Sequence, residues 1–265
     1  MTRFPTWMMM LGVALLWCCG VTAAETAAAT APNAANAAAT ATNTAVSPTD
    51  DAMRFLAVAR RPPGRECWAR MTGKVTHLRT GGKPEEAGIS LAIMFTPART
   101  LAQIIIDDQQ GYLVGQKYGP GADMTSIIPL NKEGYQEPIL AKFGLRPEDL
   151  TMSFIFWHLL RELPRDKVKG QECRVFVLQA PDAVDPEVVQ VHISAKYFFP
   201  LKVSWSRKDG EPPYRFMEVT SFRKENDYWL VRSLIIYGPG WKTRVAFEQS
   251  QAGVQQDLPQ NFFRR

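Results

Sequence analysis

Three histidines (His77, His158 and His192), the adjacent carboxylates Asp107 and Asp108, and the cysteines Cys67 and Cys173 are the residues best placed by type to do chemistry in this 265-residue chain. Histidine serves as acid, base or metal ligand, but none of the three stands in an HExxH or other close ligand spacing. The carboxylate pair falls where a hairpin is expected, and Asp is common there for turn reasons. Neither cysteine is tied by motif to a histidine, which a catalytic thiol needs. A G-x-S-x-G elbow, a phosphate-cradling P-loop and a Cys-x-x-Cys pair are all missing from the sequence. These patterns predict no enzyme, no cofactor and no metal.

Apolar residues carry a stronger signal. Residues 144–166 (GLRPEDLTMSFIFWHLLRELPRD) combine Pro147 and two acidic residues with a long apolar run. Proline suits the first helical turn, and acidic side chains favour the positive helix N-terminus. Pro164 reads as a stop. The expected helix is apolar over far more than the usual arc of roughly 100°. Met152, Phe156, Leu159, Leu160 and Leu163 should face inward, with Phe154 and Trp157 on the flank. Strand-like segments around it offer Met71, Ile93, Phe95, Ile105, Val191, Ile193, Trp205 and Phe247. With Met152, Phe154, Phe156 and Trp157 these twelve either fill a dry core or line a cavity for an apolar ligand, since such pockets are mostly apolar with few polar groups.

The elements that position them are mostly β. A short helix is expected over 51–61. Alternation of apolar and polar residues follows at 67–79, 89–95, 101–107 and 112–118, then at 173–177, 189–197, 201–205, 214–223, 228–237 and 241–248. A further short strand is possible near 126–128. Turn residues separate these runs, among them Asp209-Gly210 and a stretch over 181–186. About ten to eleven strands joined by short turns imply an antiparallel meander, and a sheet that wide must curl or split. The predicted fold is therefore mainly β with some α: a half-open antiparallel β-barrel with a helical lid.

At the N-terminus, residues 1–24 read as a secretory signal, with Arg3, an apolar run over 7–17 and small residues at the cleavage site. That run is shorter than the roughly 20 residues of a membrane span. Trp17 before Cys18 does not fit a lipidation site. Residues 25–50, nearly all Ala, Thr, Asn and Pro, read as a disordered tether, leaving 51–265 as one domain. An exported chain meets an oxidising compartment, so a Cys67–Cys173 disulfide is the leading expectation, with two buried thiols the alternative. The formal net charge is +5, with basic residues scattered among acidic ones, which argues against a nucleic-acid partner.

The order and texture of these segments resemble the outer-membrane lipoprotein-sorting proteins, the superfamily of periplasmic lipoprotein carriers. The resemblance rests on Gly144-Leu145 with Asp149-Leu150, on Gly170 with 173–178 (CRVFVL), on 199–203 (FPLKV), on Trp229-Leu230-Val231 and on the Leu258-Pro259 end leading to Phe262. It covers most of residues 53–263. It implies a half-open barrel whose apolar interior holds acyl chains, no catalysis, and a monomer in the periplasm that meets transfer partners at the inner and outer membranes. An envelope protein-binding or sensor module on the same fold is the alternative.

Overall fold

A computed structural model describes residues 49–61, 64–118, 125–131, 139–181 and 187–264. The expected signal segment and nearly all of the expected tether lie outside the described residues, as does most of the turn expected at 181–186. Among the described residues no helix is long and apolar enough to cross a membrane.

Among the described residues twelve strands form one antiparallel sheet. Five run outward in order: β1 (Cys67–Arg79), β2 (Glu85–Phe95), β3 (Arg99–Ile106), β4 (Gln110–Lys117) and β5 (Thr125–Asn131). The chain then crosses to the opposite edge and returns through β6 (His158–Val168), β7 (Gln171–Gln179), β8 (Val188–Ser194), β9 (Pro200–Ser206), β10 (Arg215–Glu225), β11 (Tyr228–Gly238) and β12 (Trp241–Val254). The two meanders join where β12 pairs with β1, so β5 and β6 are the open edges. Each edge strand carries a proline, Pro129 in β5 and Pro164 in β6. Proline cannot donate to a ladder, so it is tolerated at an edge and blunts further strand addition.

The sheet curls around the helix α1 (Asp50–Ala59). Thr49 caps its N-terminus, its hydroxyl accepting from the Ala52 amide at 3.2 Å. One side of α1 meets β7, where Phe55 stacks on Phe176 at 5.5 Å and Arg174 pairs with Asp51 at 2.9 Å. Its C-terminal end, with Ala59 and Arg60, shares a cavity with Thr100 and Ala102 of β3. In the sheet order β3 and β7 are eight steps apart. Laid flat, that is about 38 Å, whereas a ten-residue helix is only about 15 Å long. Only a strongly curled sheet lets one short helix reach both, and the open edges make it a half-open barrel.

Two sequence expectations need correction here. The helix expected over 144–166 is not one element. It holds a five-residue helix, a 3₁₀ turn, and then β6, the strand that brings the count to twelve rather than ten or eleven. Cys67 and Cys173, both buried, form no disulfide. Cys67 packs in the main core inside the curl. On β7 it is Phe176 and Leu178 that join this core and Arg174 that lies over the α1 ring Phe55, so Cys173 points to the other face.

Candidate functional site

The inner face of the barrel is covered by the crossing segment, residues 139–157. It begins with the short helix α2 (Ile139–Lys142) and continues with α3 (Pro147–Thr151). Pro147 opens α3, and the Asp149 carboxylate accepts from the Arg146 amide at 2.6 Å, satisfying one unpaired donor of the helix start. Met152 then adopts a left-handed conformation, with φ 54°, which ends the helix. A 3₁₀ turn, Ser153–Phe156, follows, and Trp157 is extended into β6. This broken path lets apolar side chains leave the backbone in several directions. Leu140, Phe143, Leu145, Leu150, Met152, Phe154 and Ile155 are all buried in the main core. The segment acts as a plug.

Polar fasteners hold the plug at several places. The Arg215 guanidinium donates to Asp149 through two nitrogens, one at 2.8 Å, and to the Gly144 carbonyl at 3.0 Å. It also lies 4.5 Å from the Trp205 ring centroid, within cation–π range. Arg146 donates to Glu187 at 2.6 Å and to the Tyr214 hydroxyl at 2.9 Å. Burial alone would lower the Arg146 pKa, but its bonds to Glu187 and Tyr214 outweigh that and raise it. Thr243 donates to the Phe143 carbonyl. Arg60, just after α1, donates to the carbonyls of Ile155 and Trp157, both at 2.7 Å. Burial lowers the Arg60 pKa to about 10.

Nine of the twelve sequence-predicted residues lie in the core beneath or within this plug: Met71, Ile93, Phe95, Met152, Phe154, Val191, Ile193, Trp205 and Phe247. Phe156 and Trp157 are half-buried against it, while Phe154 is buried and touches Trp205 edge-on at 5.5 Å. The expected inward and flanking roles of Phe154 and Phe156 are thus reversed, because a 3₁₀ turn rather than an α-helix sets their directions. Ile105 is misplaced: Ala102, Ile104 and Ile106 face the core, and Ile105 points outward. The cavity left between plug and sheet, beside Phe95, Ile155 and Phe156, measures about 20 Å³, on the scale of a single water.

A larger space opens where β9 and β10 separate. Their pairing runs only from Trp205–Arg215 to Lys202–Glu218. Beyond Val219 the β10 ladder slips register twice, which bends the strand away. The resulting groove has a volume of about 350 Å³. Phe199 and Leu201 line one wall, Val219, Thr220 and Phe222 the other, and Tyr197, Trp229 and Val168 close the ends. Phe199 and Phe222 meet edge-on at 5.2 Å, and Phe222 is 38% exposed. Lys169 and Gln171 stand at the rim, and Lys169 Nζ donates to the Val219 carbonyl at 2.9 Å. None of the twelve sequence-predicted residues lines this groove. Phe199 and Leu201 sat in a segment that carried the family resemblance, but the register slips that open the groove have no mark in the sequence.

Among the described residues no group of His, Cys, Asp and Glu is arranged to hold a metal ion. His192 lies 3.2 Å from Asp166, and its ring is held below the ordinary histidine pKa by burial and by Lys202. The Cys173 thiol nearby is pushed up by burial, the reverse of what a nucleophile needs.

A curled, open antiparallel sheet, with an apolar plug and an apolar groove, defines a half-open barrel. No protein-family model and no curated protein matches the sequence. Solved structures do. A DUF1329 family protein from Desulfovibrio piger superposes with a TM-score of 0.54 at 13% identity, covering 81% of this chain and 98% of its own. A domain assigned to outer membrane lipoprotein sorting in Vibrio parahaemolyticus gives 0.54 at 15% identity, covering 78% and 92%. A LolA superfamily protein from Nitrosomonas europaea gives 0.50 at 12% identity, covering 80% and 97%. The chain has the LolA-like fold.

Proposed function

We propose that the protein is a periplasmic carrier that shields acyl chains of lipoproteins, or of another lipid, in outer-membrane lipoprotein sorting. The observation that carries this reading is the pairing of an apolar groove of about 350 Å³ with an adjoining apolar inner face covered by α1 and the crossing segment. Burial of an acyl chain is worth about 0.8 kcal/mol per CH₂, so a chain crossing water needs a cover of this kind. The groove receives the end of the chain. The plug then withdraws, and acyl contacts replace those of Met152, Phe154 and Ile155 with the sheet. Met71, Ile93, Phe95, Val191, Ile193, Trp205 and Phe247 become the lining, and Phe156 and Trp157 the mouth. Because plug contacts are given up as acyl contacts form, affinity stays moderate and the cargo can be handed on. Residues 1–24 serve as a cleaved signal and 25–50 as the tether of the domain at 51–265.

The LolA-like fold supports this reading. The test is uptake of an uncharged fluorescent probe, N-phenyl-1-naphthylamine, by protein purified without detergent. Saturable fluorescence gain, reversed by added lipid, is expected. No saturable gain in the delipidated protein overturns the proposal.

A further inference from the structure

We infer that the β9–β10 groove selects an amphiphile with a single acyl chain and an anionic head, carboxylate or phosphate, and that Lys169 is the residue that reads the head. This rests on the acyl-carrier reading above and names its ligand class.

Three observations converge on the groove. Its walls are mostly apolar, with Phe199, Leu201, Val219, Phe222 and Trp229 in the lining, which suits an alkyl chain. Among the described residues Lys169 is the only charged one in its lining. Among the described residues no carboxylate pairs with Lys169, whose ammonium is bonded to the Val219 carbonyl at 2.9 Å. An ammonium has three N–H donors, so that bond leaves others for a ligand.

Lys169 is also held in place. Lys169 and Gly170, with φ of 51° and 78°, form the two-residue turn between β6 and β7, and a turn with two left-handed residues matches the twist of a hairpin. That turn fixes the direction of the Lys169 Cβ, and the bond to Val219 swings its tip across the groove from β7 toward β10. A chain lying along the Phe199 and Phe222 rings with its head at the rim would meet the ammonium there. The interaction favours an anion over a neutral alcohol of the same length, because the neutral head gains no charge-assisted hydrogen bond.

The experiment titrates the full chain, purified without detergent, with decanoate, decyl phosphate and decanol by calorimetry, below their aggregation concentrations. At least one anion should bind roughly fivefold more tightly than decanol, the scale of a partly exposed ion pair. Whichever anion binds more tightly assigns the source, a free fatty acid or a phosphate-bearing lipid, and either supports the inference. Lys169→Met should abolish the preference, and Lys169→Arg should retain it. 10-Bromodecanoate should quench tryptophan fluorescence in the parent protein, and Trp229→Phe should remove most of that quench.

Binding of all three compounds without preference would overturn this inference and leave the carrier reading intact. A preference that survives in Lys169→Met, or quenching that survives in Trp229→Phe, would overturn it as well, since the head or the chain then sits elsewhere. Failure of every amphiphile to bind, together with failure of the uncharged probe, would overturn the carrier reading itself.

Discussion

Arg215 on β10 and Asp149 on α3 form a buried, two-pronged ion pair that ties the plug to the barrel wall. Both side chains are almost wholly withdrawn from solvent, at 4% and 1% exposure. A buried pair of this kind is weak support for stability as a unit, because each charge gives up its hydration. Removing one partner is a different matter. Asp149→Asn leaves a guanidinium over Trp205 without its counter-charge, and the expected loss is about 3–5 kcal/mol. Arg215→Met should cost a similar amount. The double variant should cost clearly less than the sum, since neither charge is then stranded. Urea denaturation of the four proteins measures this, and strict additivity would show that the two residues do not act as a pair.

A second tie runs through His77 on β1. Its Nδ1 lies 2.7 Å from the Thr243 hydroxyl, and that hydroxyl donates to the Phe143 carbonyl in the plug. With the Thr243 proton committed to Phe143, Nδ1 must be the donor and Nε2 the acceptor of the Arg79 Nε–H at 3.3 Å. The chain of bonds therefore requires neutral histidine. Burial first and Arg79 second hold the His77 pKa below 6.5, with Glu85 and the Phe143 carbonyl opposing them. The folded state thus binds a proton less readily than the unfolded state. Its contribution to stability is complete above about pH 6.5 and is lost as pH falls through the lowered folded value. His192 is shifted the same way and adds to the trend. Urea midpoints at pH 7.5 and 5.0 should therefore differ less in His77→Gln than in the parent; an unchanged difference removes His77 from the account.

Cys67 and Cys173 should both behave as protected thiols. The first packs against the inner core, and the second faces outward from β7 yet is fully buried. Without reductant, iodoacetamide should label neither in the native protein, and in 6 M urea it should label both, as read by peptide mass. A peptide linking the two would mean that β7 is turned over relative to the structure described here.

The cysteine expectation failed for a reason that recurs across the chain. Alternation identifies a strand, but it identifies a face only when the other face is polar. On β7 Val175, Phe176, Val177 and Leu178 are all buried, so the sequence offers no parity. Ile104-Ile105-Ile106 on β3 poses the same ambiguity and sent Ile105 to the wrong side. On β1, β2, β8 and β9 one face is clearly more apolar, and Met71, Ile93, Val191 and Trp205 face the core. The apolar run at 150–163 has both problems at once. Its composition reads as one greasy helix, yet it holds a left-handed Met152, a 3₁₀ turn and an edge strand. Nothing local announces Met152 as a break, since a methionine is not a residue expected at positive φ. Tertiary pairing with β7 overrides the helical preference of Leu159, Leu160 and Leu163. The proline at 164, read as a helix stop, is compatible with a strand because β6 lies at the sheet edge.

Arg60 offers the most direct test of the plug as a moving part. Its guanidinium holds two carbonyls, those of Ile155 and Trp157, at the point where the crossing segment turns into β6. Among the described residues no carboxylate pairs with it, and burial depresses its pKa to about 10. Such a group is poorly compensated, so it contributes position more than stability. Arg60→Met keeps most of the apolar stem and removes both bonds. The expected cost is about 2 kcal/mol, the scale of lost charge-assisted bonds to carbonyls that become unsatisfied. If the plug withdraws as a unit, that loss should be local. Amide exchange should rise at residues 153–157 and remain near parent rates in β1, β2 and β12. The uncharged probe should also enter faster, because opening then starts from a less tightly held segment. Faster exchange throughout the sheet would instead mark Arg60 as a support of the whole fold, and unchanged exchange at 153–157 would mean that the remaining polar ties hold the plug without Arg60.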